Sequence, residues 1–404
     1  MYSKKGVVVQ FGARNKYLVA SFLQQQGLLH ELHTDIWLNE NYRKITKAIS
    51  PIFNQVRRFE NRYNKNIPSE KVITYEKIGF EYLLKRFVNT STSSYVNNEL
   101  NATKKFLKAV ANKLQKYDGI IYSLREALEV FESADCAYKI MEEVSAIGIY
   151  REVIKNENEK WSGWEKFNEK IDNELWDEIL NREKQSYSKS NLIIAPSTWV
   201  KQYITKLGIP ENKIKLIPYW CPSPFDVKEK IFDGSRKLRV LFVGRVNLAK
   251  GIPYLIEAIK KLKTNIEVVI VGENFLNLKE IGTIPNNVRF ISHSPSSEIE
   301  KLYQWADVFV FPTLCEGSSL SVYEALSYGL PIITTPNSGS IVSHEREGYI
   351  IEPANSDAIA FHINKILESP SLIKTFSINS LKLAKSNTIE AYRKRLVKVF
   401  DDIV

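Results

Sequence analysis

Two glutamates, Glu316 and Glu324, stand eight positions apart in the stretch FPTLCEGSSLSVYEALSYGLPIITT. Glu316 follows an apolar, strand-like run from Asp307 to Pro312, and Glu324 falls in an amphipathic pattern that begins near Ser319. Were the whole span helical, eight residues at about 100° each would set the carboxylates about 80° apart, edging one cleft. Between them come Gly317, Ser318, Ser319 and Leu320. Small residues at a helix start leave amides open, and the positive end of the helix dipole favours an anion there. Carboxylates for sugar hydroxyls beside a phosphate cradle imply a nucleotide-sugar site. Arg245 and Lys250 belong to the same chemistry; they lie in VLFVGRVNLAKGIPYLIEAI, after a strand ending at Val243 and a tight turn at Gly244. Two cations so placed can neutralise a diphosphate, the arginine by a two-pronged fork and the lysine as a point charge.

The elements that must carry these residues read as an α/β series. Apolar runs at Leu238 to Val243, Ile266 to Val271, Val288 to Ile291, Val308 to Phe311 and Ile332 to Thr334 alternate with helical or turn segments. Runs that apolar suit parallel strands buried on both faces, with ligands at their carboxyl ends. Upstream, strands are expected at Gly6 to Phe11, Leu32 to Trp37, Gly119 to Ser123, Tyr138 to Met141 and Asn191 to Pro196, with a helix from Ser197. The segment PYWCPSPFDVKEKIFDGSRK breaks the periodicity with Pro218, Pro222, Pro224 and Gly234. The organisation predicted is a Rossmann-like first domain over 1–220, a linker over 221–237, a second domain over 238–387 and a final helix over 388–404.

With GR and KG four residues apart, VIVG (Val269 to Gly272), ADVFVFPT, EG and EALSYGLPII, the chain resembles the retaining, family-4 class of nucleotide-sugar glycosyltransferases with the GT-B fold. The resemblance spans residues 238–368, extends over 185–237 and fades over 1–184. It implies two Rossmann-like parallel-sheet domains facing a cleft, with the last helix crossing back to the first domain. It implies that Arg245 and Lys250 grip the donor diphosphate, that Glu324 binds the ribose and that Glu316 faces the sugar. Residues Gly317 to Leu320 would surround sugar and phosphate, Ser292 to Ser294 with His293 would hold the base, and Gly12 would approach the phosphate. His344 falls in a loop that faces the sugar in relatives. The chain departs from the pattern at Ser318, Ser319 and Ser321, and it offers Glu142 and Glu143 where relatives carry a first-domain histidine. The other histidines, His30 and His33, read as structural, and Trp161, Trp164 and Trp176 as packing.

Composition narrows the remainder. The 404 residues suit two domains, and 44% hydrophobic with 25% charged content is ordinary for a globular protein. Three cysteines, Cys136, Cys221 and Cys315, lack metal spacing, which argues against disulfides or zinc and for a reducing cytosol. No Asp-x-Asp pair occurs, so neither a metal nor another cofactor is expected. The N-terminal apolar run is too short for a signal peptide. Charge is uneven: residues 41–117 hold sixteen Lys and Arg against five Glu, whereas the whole chain carries +10. Arg43, Lys44, Lys47, Arg57, Arg58, Arg62 and Lys65 interleave with apolar residues there, a pattern that suits either a solvated helix face or an anionic membrane surface. No nucleic-acid motif accompanies it. The expected partners are a nucleotide-sugar donor and a glycan or lipid-linked acceptor in cell-surface polysaccharide synthesis. A nucleotide-sugar epimerase and a non-catalytic polyanion binder stay open as alternatives; the first would act on the donor alone.

Overall fold

The runs LRVLFV, IEVVIV and VFVF become strands because all their apolar residues are buried on both faces; only Arg239, partly buried, and Glu267, exposed, keep contact with water. A computed structural model describes residues 5–38, 59, 61–88, 92–135, 137–166, 172–223, 226–262, 265–292 and 294–403. Two sheets organise them, and every strand pair in both is parallel.

The first sheet has seven strands: β1 (Gly6–Gln10), β2 (Leu29–Thr34), β3 (Val72–Thr74), β4 (Ile120–Leu124), β5 (Tyr138–Glu142), β6 (Leu192–Ala195) and β7 (Ile214–Leu216). Their order is β3-β2-β1-β4-β5-β6-β7, so the winding reverses between β1 and β4. The second sheet has β8 (Leu238–Val243), β9 (Ile266–Val271), β10 (Val288–Ile291), β11 (Val308–Phe311), β12 (Ile332–Thr334) and β13 (Gly348–Ile350), in the order β10-β9-β8-β11-β12-β13. Crevices at such reversals collect ligands. The two-sheet α/β architecture predicted from the sequence is the one observed.

Three short strands escape the sequence reading: β3, β7 and β13, of three residues each. They sit at or beside sheet edges and exist because a neighbouring strand pairs with them. The first helix starts only at Leu18 and runs over Leu18–Gln25, because Asn15, Lys16 and Tyr17 all adopt left-handed backbone. Most of the basic stretch 43–65 lies outside the described residues. Arg62, one of its members, is buried and pairs with Asp35 at 2.6 Å, so it is not free to meet an anionic surface.

The last helix, Ile389–Asp401, packs on the first sheet although it follows the second. Tyr392 meets Phe22 at 6.3 Å between ring centroids, and Phe400 lies over Tyr122 at 6.0 Å. The two stretches that pass between the sheets are tied together. Asn387 donates to Tyr219 O at 2.6 Å and accepts from the Cys221 amide at 2.8 Å, and Arg395 donates to Pro218 O at 2.9 Å. Among the described residues, no helix is long and apolar enough to cross a membrane.

Candidate active site

The Lys250 loop is built from its local chemistry. Asn247 caps the short 3-10 turn Leu248–Lys250, its side chain accepting from the Lys250 amide at 3.1 Å. Gly251 then turns with φ +70°, and any Cβ there would fall 2.0 Å from Pro312 O. That close approach presses the loop after β8 onto the loop after β11. Ala249 O accepts from both the Leu314 amide at 2.9 Å and the Thr313 hydroxyl at 3.1 Å. The consequence is an ion pair: Lys250 Nζ donates to Glu316 Oε1, with the two side chains 14% and 24% exposed. Gly244, at the start of this loop, is crowded by the Phe311 ring, 3.2 Å from where a Cβ would stand.

Residues 316–320 lean on a third loop, after β12. The amides of Glu316 and Ser319 donate to Asn337 O at 3.0 Å and Ser338 O at 2.9 Å. The cradle therefore narrows to the amides of Gly317, Ser318 and Leu320, which have no acceptor among the described residues. The Ser318 hydroxyl is committed as well, to Gly339 O at 3.0 Å and Tyr323 Oη at 3.2 Å. Ser319 stands at the N-cap position of helix Leu320–Ser327 but makes no side-chain capping bond; its hydroxyl pairs with that of Ser321 at 3.0 Å instead. On this helix Glu324 accepts from Tyr303 Oη at 2.8 Å, which leaves its second oxygen for a ligand. Burial holds the Glu324 carboxyl above the usual range, and the tyrosine bond partly opposes that shift. The two glutamates thus have separate partners, Lys250 for one and Tyr303 for the other.

Arg245 is exposed and lines a cavity of about 2130 Å³ together with Tyr150, Glu165, Asn247 and Phe275. Lys250, Glu316 and Glu324 stand outside its lining. The cavity reaches across the first sheet to Phe11, Ser123 and Arg125, at the reversal between β1 and β4. Gly12 turns with φ +82°, but its amide is spent on Asp35 Oδ1 at 3.0 Å rather than open to a phosphate. Glu142 is buried, accepts from Tyr122, and is raised by that burial, with Arg14 opposing. Glu143 accepts from the amides of Val144 at 2.7 Å and Ser145 at 3.0 Å, and from Tyr187 Oη at 2.7 Å. Both carboxyls are thereby occupied within the fold.

Other candidates fall away from this cluster. His344 accepts from the Ile350 amide at 3.1 Å and so braces β13. His33 is buried between Tyr75 and Glu31, and His30 stacks on Tyr117. Trp161 packs on Trp164 and on Tyr254, joining helix Ile147–Lys160 to helix Ile252–Lys261. His293 lies outside the described residues, and Ser294 is half-buried. Among the described residues, no group of three or more His, Cys, Asp or Glu could hold a metal ion. Sequence reasoning missed Asn247, Tyr303 and Ser338. Only Asn247 carried a signal, as a capping residue three positions before Lys250.

Two parallel α/β sheets facing each other, with this cluster at the carboxyl ends of the second, define the GT-B class. Solved structures agree over nearly the whole chain. A sucrose-phosphate synthase from Thermosynechococcus elongatus superposes at TM-score 0.66, with 15% identity over 99% of both chains. HepE of Anabaena, in complex with UDP and glucose, superposes at 0.61, with 14% identity over 98% of this chain and 100% of that one. Residues 226–383 match the family described as glycosyl transferases group 1. Among relatives, the capsular polysaccharide biosynthesis glycosyltransferase CapM of Staphylococcus aureus is 31% identical over 47% of this chain and 56% of its own. The amylovoran biosynthesis glycosyltransferase AmsK of Erwinia amylovora is 28% identical over 45% and 50% respectively. The chain spans about half the length of the curated relatives it matches.

Proposed function

We propose that this protein transfers a sugar from a nucleotide-diphosphate sugar to a glycan or lipid-linked acceptor, retaining the anomeric configuration and using no metal. The observation that carries this reading is the half-buried Lys250–Glu316 pair, set beside open amides at the start of the helix that bears Glu324. When the bond between the anomeric carbon and the donor phosphate breaks, positive charge grows on the sugar and negative charge on the diphosphate. Preorganised donors at the diphosphate are then the largest catalytic term. Lys250, Arg245 and the amides of Gly317, Ser318 and Leu320 serve there. Glu316 holds Lys250 in place and faces the sugar, and the free oxygen of Glu324 accepts from the ribose hydroxyls. The acceptor hydroxyl forms the new bond, its proton leaving with the released diphosphate.

The names of the relatives favour a cell-surface polysaccharide as the product. Lys85, Lys104, Lys105 and Lys108 line a groove of about 700 Å³ on the first domain, beside Glu129 and Glu132. The first three are ion-paired with Glu81 and Glu178, so the support for contact with an anionic membrane at the cytoplasmic face is the exposed Lys108 and the excess of Lys and Arg over residues 41–117. Flotation with anionic and neutral vesicles tests that contact. The donor is found by a thermal-shift screen against UDP-, GDP-, ADP- and dTDP-sugars, because a ligand of the native state raises the melting temperature with its concentration. Sugar transfer that persists in a chelator is the expected result; loss of transfer that added divalent metal restores would overturn metal independence.

A further inference from the structure

Gly317, in the middle of the donor loop, is held from the other sheet. Its carbonyl accepts a hydrogen bond from Ser197 Oγ at 2.6 Å, across 120 residues of sequence. A Cβ at position 317 would fall 1.7 Å from Val144 O, so only glycine allows that backbone contact. A Cβ at Gly339 would likewise meet Gly317 O at 2.3 Å and Ser197 Oγ at 2.8 Å. Both first-sheet anchors are rigid. The Val144–Ser145 turn is fixed by the Glu143 carboxylate, itself held by Tyr187. Ser197 is 3% exposed and also caps helix Thr198–Lys206, accepting from the Val200 amide at 3.2 Å. One hydroxyl can do both, since it carries one donor and two acceptor sites.

The consequence follows from peptide geometry. In a trans peptide unit the carbonyl of one residue and the amide of the next point in opposite directions. Drawing Gly317 O toward Ser197 therefore aims the Ser318 N–H away from Ser197. That amide has no acceptor among the described residues. Without the anchor, glycine at 317 leaves the unit free to rotate. We propose that Ser197 is a positioning residue that orients the Ser318 amide toward the donor diphosphate, so that the cradle is complete only when the first sheet is docked on the donor loop. This rests on the reading of residues 316–320 as a donor loop.

The test separates the anchor from the helix cap. Ser197→Asp keeps a side-chain acceptor for the Val200 amide, since Asp caps as well as Ser, but its carboxylate cannot donate to Gly317 O. The expected outcome is a melting temperature within a few degrees of wild type and protection of helix 198–206 unchanged. Amide exchange across 316–319 should speed up about tenfold, and kcat should fall about tenfold or more with the donor KM little altered, because charge on the diphosphate peaks in the transition state. Ser197→Ala should show the same loss in kcat together with a lower melting temperature. Wild-type exchange at 316–319 and wild-type kcat in Ser197→Asp would overturn the proposal. Should the wild-type protein itself transfer no sugar, the functional reading fails, and exchange at 316–319 alone decides whether Ser197 holds the loop.

Discussion

Lys250 and Glu316 meet across 66 residues of sequence, and each leaves the other in need of a replacement when removed. On the proposed reading, the Lys250→Ala variant strips a donor from the diphosphate, and it leaves the half-buried Glu316 carboxylate without its cation. Turnover should fall about 10²–10³-fold, the usual loss for one preorganised donor. The fold should survive, as a melt of the purified variant would show; near-normal turnover would remove the pair from the mechanism. Glu324 gives a prediction in pH. In its proposed role it accepts from ribose hydroxyls as the carboxylate, and burial holds its pKa above that of a free glutamate. Donor affinity should thus be full above that raised pKa and fall as pH drops through it. Titration calorimetry across acidic to neutral pH should show this decline in wild type, and Glu324→Gln should bind weakly with no such decline.

Elements place these residues by pressing loops together. Gly251 shows the requirement, since an alanine there would need both φ +70° and space that Pro312 O occupies. Gly251→Ala should cost on the order of 1–3 kcal/mol, the usual range for such strain, and lower turnover with it by moving Lys250. Unchanged melting and unchanged turnover together would show that the loop yields. On the first sheet, helix Asn173–Lys189 contributes Glu183, buried beside Glu143 and bonded to Tyr203 at 2.7 Å. Burial first, and then the neighbouring Glu143, push its pKa up to about 8. The folded protein therefore binds a proton that the unfolded chain has released above the ordinary glutamate range. Stability from this group declines as pH rises from about 4.5 toward 8. Thermal melts of Glu183→Gln against wild type should show the variant gaining relative stability between pH 5 and pH 9; a gap independent of pH would refute the assignment.

At the scale of the molecule, the end of the chain belongs to the sheet formed by its beginning. Phe400 is 1% exposed, lies over Tyr122 and stands 3.0 Å from where a Cβ on Gly6 would fall, so the last helix closes one face of the first sheet. Phe400→Ala should cost about 3–5 kcal/mol, the range for a buried aromatic. Chemical denaturation followed through tryptophan emission would measure it, and a loss below 1 kcal/mol would mean the helix is dispensable to that sheet. Asn387 ties the two inter-sheet passages to each other.

The second sheet was legible from composition alone. Five of its strands have the bounds that the apolar runs mark, because a strand buried on both faces is apolar at most of its positions; Arg239, Glu267 and Arg289 are the charged residues among them. The residues of the candidate cluster stood out too, as charged or small types where a buried series reaches its carboxyl ends. What the sequence could not show is pairing. The three-residue strands β3, β7 and β13 are too short for a pattern and depend on a neighbour. The sequence placed both glutamates at one cleft edge; the tertiary structure divided them, giving Glu316 to Lys250 and Glu324 to Tyr303. It likewise spent the Gly12 amide on Asp35 and turned Arg62 inward. Residue type and periodicity report how each position meets water, and so they determine strands, helix starts and the kinds of group at the site. Which donor meets which acceptor depends on distances between segments far apart in the chain, and only the packed fold decides those.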